Sequence, residues 1–165
     1  MKKFAALLLA LMMVLPMAAM AEAVASPSAT DVLSSASVAN YYGDFALAGD
    51  ELMEAANSQK GFYLVVTTNP DGSANAGVFI FAIKKLNDKY YIQLGLAENQ
   101  TKANLEATGA GLAIYAAVPT DKPYAVSGAR FYFTEITDQA IVDELMKDAR
   151  QGAMFFEVTE VLPLG

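Results

Sequence analysis

Phe62-Tyr63-Leu64-Val65-Val66-Thr67-Thr68-Asn69-Pro70-Asp71-Gly72-Ser73-Ala74-Asn75-Ala76 has the pattern of a β-hairpin. Aromatic, aliphatic and β-branched residues from Phe62 to Thr68 suit a pleated, partly buried strand. Asn69-Pro70-Asp71-Gly72 then reads as a turn with a mechanism. Proline fixes φ, and glycine supplies the positive φ that closes a hairpin. The return strand is expected from Ala74 to Ile83.

Working outward, β signals recur with short helices between them. Lys84 to Lys89 is polar and contains Asn87-Asp88, which predicts a second turn, with a third strand over Tyr90–Leu94. Asn99-Gln100-Thr101 precedes a short helix, Lys102–Thr108, that Gly109 closes as a C-cap. A fourth strand is expected over Leu112–Val118, ended by Pro119, and a fifth over Tyr124–Ile136, where Gly128 marks a bulge or tight bend. A helix from Asp138 to Ala149 carries Ile141, Leu145 and Ala149 on one face, and Met154–Leu162 is the last strand. Upstream, Asp50 is placed to N-cap a short helix whose apolar side is Leu52, Met53, Ala55 and Ala56. The fold class is mainly β with a few helices (α+β). Its expected architecture is a small antiparallel barrel of six strands rather than a layered α/β sheet.

The first residues have the pattern of an export signal. Lys2 and Lys3 precede an uncharged apolar run from Phe4 to Leu15, Pro16 breaks it, and small residues lead to Ala23. Residues 1–23 read as a cleavable signal peptide, and the run is too short for an anchoring span. Residues 24–48, rich in Ser and Ala from Ala25 to Ser37, read as a flexible lead-in, and residues 49–165 as the folded domain. The expected location is the periplasm or the outside of the cell, with no stable membrane span after cleavage.

Composition removes whole classes of function. The chain carries a net charge of −7, and loss of Lys2, Lys3 and Glu22 would make it more acidic still. Nucleic-acid binding is excluded as an expectation, because phosphate contacts need clustered Lys and Arg. There is no Cys, so disulfides, zinc–thiolate sites and cysteine nucleophiles are ruled out. There is no His, which removes the usual general base and metal ligand, and no metal site is expected. Chemistry must then come from a carboxylate, a tyrosine, a lysine or a borrowed cofactor. Asp143-Glu144 has the look of a solvated helix face rather than a catalytic pair.

Taken in order, the segments from Gly61 to Val161 resemble the FMN-binding split β-barrels of the pyridoxamine 5′-phosphate oxidase and flavin reductase type. The hairpin from Phe62 to Ala76 matches the family's first hairpin. Tyr90-Tyr91-Ile92-Gln93-Leu94-Gly95 sits where the family places the strand approaching the cofactor phosphate. Asn99-Gln100-Thr101-Lys102-Ala103-Asn104-Leu105 is similar to the "Ser/Thr-Lys-x-x-Asn-Leu" helix start, and Val126-Ser127-Gly128-Ala129-Arg130 to a "hydrophobic-x-Gly-x-Ala/Arg" segment. No single motif is specific; their order and spacing carry the resemblance.

The resemblance implies a homodimer holding FMN at its interface. It places the isoalloxazine along Val65, Val66, Thr67 and Thr68 and near Asn75. It places the phosphate near Gln93 and the helix start, Gln100, Thr101, Lys102 and Asn104. A helix N-terminus is a ready anion site. The chain departs from the pattern in one respect. Relatives carry a lysine three or four residues before the helix Asn, where this chain has Gln100 and Thr101. Lys102 is turned roughly 100° from the neighbouring position. Lys84, Lys85 and Arg130 are the candidate second cations. The local readings are plainer: Thr101 as a helix N-cap, Lys102 as a solvated helix lysine, and Tyr90, Tyr91, Phe131 and Phe133 as core or interface aromatics. Arg130 on a central strand calls for an anionic partner. Two functions follow. One is a flavin-dependent oxidoreductase or electron carrier of unknown substrate and with no assigned catalytic residue. The other is an exported, non-catalytic ligand-binding module that kept the barrel and lost the flavin. No run of Arg and His is present to grip pyridoxamine phosphate itself.

Overall fold

A computed structural model gives the structure of residues 45–118 and 126–164. The expected signal peptide, most of the expected lead-in, and the expected strand ends at Pro119 and Tyr124 lie outside the described residues. The order of elements is α1 (Gly49–Asn57), β1 (Phe62–Thr68), β2 (Ala74–Gly77), β3 (Phe81–Leu86), β4 (Lys89–Gly95), α2 (Gln100–Thr108), β5 (Ala110–Ala117), β6 (Ser127–Glu135), α3 (Gln139–Met146) and β7 (Ala153–Leu162). No helix among the described residues is long and apolar enough to cross a membrane.

The fold is mainly antiparallel β with three helices, an α+β arrangement, but it differs from the expected six-stranded barrel. Seven strands form one open sheet in the order β2-β1-β5-β6-β7-β4-β3. The difference arises in the return strand. Ala74–Gly77 pairs with β1, whereas Phe81–Leu86 leaves it and pairs with β4. The expected strand Ala74–Ile83 is therefore split, and its two pieces form the two edges of the sheet. The second turn is also tighter than expected. Asn87 and Asp88, both at positive φ (50° and 59°), make a two-residue connection, so Lys84, Lys85 and Leu86 belong to β3. The first turn forms as expected, with the Gly72 N–H donating to Asn69 O at 2.9 Å and Gly72 at φ 82°.

Alternation along the strands builds the core. Tyr63, Val65 and Thr67 on β1 face inward, as do Ala113 and Tyr115 on β5 and Ala129, Phe131 and Phe133 on β6. Their rings bring the ends of the sheet together. Tyr63 on β1 meets Phe81 on the far edge strand at 5.0 Å between ring centres, and Phe81 meets Phe131 edge-on at 5.5 Å. Strands so far apart in the sheet order can touch only if the sheet curls around its core.

α1 seals one edge. Asn57 Nδ2 donates to Ile83 O at 2.8 Å, and its Oδ1 accepts from the Ile83 N–H at 2.8 Å, in the place of a neighbouring strand. Asp50 does not cap this helix. Ala48 holds the N-cap position, with no side-chain cap bond, and Asp50 lies in the first turn. Its carboxylate instead accepts from Lys85 Nζ at 3.0 and 3.1 Å and from Tyr90 Oη at 2.9 Å. Those bonds hold the Asp50 carboxyl below its ordinary value, Lys85 first. α3, capped by Asp138, sets Leu145 against Tyr91 and Phe155 and so covers the outer face of β4 and β7. α1 and α2 pack onto the core itself through Leu52, Ala56 and Leu105.

Candidate functional site

Two features meet at the first hairpin: a buried polar cluster and an outward-facing groove. The cluster gathers five residues that the family resemblance had singled out. Asn75 Nδ2 donates to Thr67 Oγ1 at 3.2 Å and to Thr101 Oγ1 at 2.9 Å. Asn104 Nδ2 donates to Thr67 Oγ1 at 3.0 Å and to Asn69 Oδ1 at 2.9 Å, and its Oδ1 accepts from Gln100 Nε2 at 2.7 Å. Thr67, Thr101 and Asn104 are buried, at 3%, 3% and 2% exposure. Polar groups so deep must be paired, and here they pair with one another across β1, β2 and α2. The cluster thus fastens α2 to the hairpin.

Asn104 is its hub. An Asn104→Ala variant takes the partner from the Asn69 side-chain carbonyl and the Gln100 amide, and leaves the Thr67 hydroxyl with Asn75 alone. It is expected to lose about 1–3 kcal/mol of stability, read from urea unfolding against the parent. A loss below the error of the measurement would show that the cluster does not fasten the helix.

The helix start itself is engaged by its own neighbours. Asn99, not Thr101, is the N-cap, its Oδ1 accepting from the Lys102 N–H at 3.0 Å. Lys102 Nζ pairs with Glu98, and with Glu106 at 3.3 Å, and these carboxylates raise its pKa, Glu98 most. Among the other candidate cations, Lys85 holds Asp50. Lys84 lies 5.2 Å from the centre of the Phe155 ring and donates to Leu145 O at 3.4 Å. Gln93 stands apart on β4, between Ala82 and Phe155, in a polar hollow with Gln59 and Arg150.

The groove lies on the outer sheet face. Its volume is about 340 Å³, with Val66, Thr68, Gly72, Leu112, Tyr132 and Thr134 among the residues around it. Register explains the lining: Val66 opposes Leu112, and Leu112 opposes Tyr132, side by side on β1, β5 and β6. One rung along, Leu64, Ile114 and Arg130 line up in the same way. Val65, also named by the resemblance, points the other way and is fully buried in the core. Leu112 and Tyr132 were missed in the sequence, although their place opposite inward-facing Ala113 and Phe133 was readable from strand alternation.

Protein groups offer little acid–base chemistry here. Burial raises the hydroxyls of Tyr63, Tyr91 and Tyr115, away from the range in which a general base works near neutrality. Among the described residues no three acidic side chains converge as a metal site.

Likeness to known structures agrees with this architecture. The FMN-binding protein of Syntrophomonas wolfei subsp. wolfei superposes with a TM-score of 0.51 at 17% identity, over 70% of this chain and 85% of that one. HupZ of Group A Streptococcus gives 0.46 at 16% identity, over 72% and 100%. A protein from Lactobacillus delbrueckii described as a pyridoxamine 5′-phosphate oxidase gives 0.44 at 14%, over 70% and 93%. No protein-family model matches the chain, and no curated protein matches it in sequence. The open seven-stranded sheet, its helix placement and the likeness to the Syntrophomonas protein together make this chain one with the fold of the FMN-binding split β-barrels.

Proposed function

We propose that the protein binds FMN on the outer face of β1, β5 and β6 and serves as an exported flavin-dependent oxidoreductase or electron carrier. The observation that carries this reading is the groove beside the first hairpin. Val66, Leu112 and Tyr132 offer apolar walls to a planar ring, and Thr67 and Thr68 offer backbone to its polar edge. The fold shared with the FMN-binding protein of Syntrophomonas wolfei supports it. In this reading Gln100, Thr101, Asn104 and Asn75 fix the hairpin that forms one wall. Bound flavin would supply the electron or hydride transfer that His-free and Cys-free protein groups do not.

The same face fits a second copy of the chain. Phe62, 53% exposed, extends the apolar surface of Leu64, Val66, Leu112 and Ile114. A homodimer closing over the groove agrees with what the family resemblance implies. Export rests on Lys2, Lys3 and the apolar run to Leu15.

One observation favours a non-catalytic binding module instead: Lys102 is held by Glu98 and Glu106 rather than presented to a phosphate. The test separates the two readings. Protein without residues 1–23 is incubated with FMN and passed through gel filtration. Absorbance bands near 370 and 450 nm, approximate positions for any oxidised flavin, are expected to travel with the protein. A colourless protein peak rejects the flavin reading and leaves the binding module.

A further inference from the structure

We infer that Arg130 holds the anionic end of the bound flavin, in place of the helix lysine that the family resemblance implies; this rests on the FMN reading above. Among the described residues, Arg130 Nε is the buried side-chain nitrogen or oxygen that lacks a hydrogen-bond partner. A guanidinium stays charged and carries five N–H donors. Arg130 as a whole is half-buried, and its inner nitrogen finds no acceptor within the fold, so its place points to an anion that arrives from outside.

Among the described residues, the other cations are paired or solvated. Lys102 is held by Glu98 and Glu106, Lys85 by Asp50, Lys89 by Glu157 and Lys147 by Glu144. Lys84 is engaged by the Leu145 carbonyl and the Phe155 ring. Lys60 and Arg150 are exposed, where water satisfies them. Glu160, across β7 beside Tyr132, makes no ion pair with Arg130.

Position completes the case. Arg130 projects from the same outer face of β6 as Tyr132, two residues on, which a strand separates by about 7 Å. Tyr132 lines the groove. Around Arg130 the neighbouring strands present Ile114 and Leu162, both apolar. A ligand with an apolar body in the groove and an acidic tail along β6 matches both surfaces. Arginine also meets a phosphate bidentately, a geometry a lysine does not reproduce.

The test compares FMN with riboflavin, which lacks the phosphate, by quenching of flavin fluorescence. Parent protein is expected to prefer FMN. Arg130→Gln is expected to weaken FMN roughly 10- to 100-fold while leaving riboflavin where it was, and Arg130→Lys to fall between. Circular dichroism and the unfolding midpoint confirm that each variant folds. Equal FMN affinity in the parent and in Arg130→Gln overturns the proposal, as does loss of FMN and riboflavin together. So does a selective loss of FMN on Lys102→Gln instead. In all three the parent still binds FMN, so the flavin reading survives. A parent that binds neither flavin overturns that reading, and this inference with it.

Discussion

Gly128→Ala is expected to lose about 3 kcal/mol or more, enough to cost soluble folded protein. The reason is a backbone contact. A Cβ at position 128 would lie 2.0 Å from Tyr115 O and 3.0 Å from Ala116 Cα, on the neighbouring strand β5. Neither is the end of a flexible side chain, so β5 and β6 must part for the methyl to fit. Gly128 also sits at φ 157°, which side-chain-bearing residues rarely adopt. Two contacts depend on the same spot. Leu47 N–H donates to Gly128 O at 2.9 Å, and Ala46 bridges to Gly128. The segment leading into α1 is therefore anchored where the strands pinch. Urea unfolding and the yield of soluble protein measure the effect. An alanine variant within 1 kcal/mol of the parent would mean that the strands separate there at little cost.

Phe131→Ala is expected to cost about 3–5 kcal/mol, the range for removing a fully buried ring from a core. Phe131 is 0% exposed and links the sheet across its curl. Its ring meets Phe81 at 90°, Phe81 meets Tyr63, and Tyr63 meets Tyr115 at 5.2 Å. One contact chain thus ties β6, β3, β1 and β5. Removing Phe131 takes away the end of that chain on β6 and loosens the edge strand β3 from it. Phe131→Leu should recover part of the loss, because it refills most of the volume. If Phe131→Ala lost less than 1 kcal/mol, the sheet would not be held curled by these rings.

Much of the architecture was readable, and the misses have physical causes. Pro70 and Gly72 announced the first turn, and Gly109 the end of α2, because those backbone needs are local. The break between β2 and β3 was not readable. Val78-Phe79-Ile80 contains no turn residue, and the strand parts because the curled sheet gives its two halves different partners. Lys84 and Lys85 read as turn because two charges in succession are rare in a strand. Their ammonium groups find the Phe155 ring and Asp50, residues distant in sequence. Asp50 was read as a cap for the same kind of reason: the pull of Lys85 and Tyr90 is invisible locally.

The site was legible in part. Order and spacing brought Thr67, Asn75, Gln100, Thr101 and Asn104 into view as a group, and the structure joins them by hydrogen bonds. The fate of Lys102 was written in Glu98 and Glu106, four residues to either side, a spacing that pairs charges on a helix. Arg130 was visible as a cation on a strand, but its missing partner needed the assembled sheet.

If the outer-face groove binds FMN, a carboxylate placed in it must weaken that binding. FMN is titrated into the parent and into a Leu112→Glu variant, which sets a carboxylate in the groove while leaving the inward face of β5 intact. The parent is expected to bind at tens of micromolar or tighter, about −6 kcal/mol, and the folded variant at least tenfold more weakly. A parent that binds no FMN at that concentration, or a variant that binds as well as the parent, would contradict FMN binding in the groove.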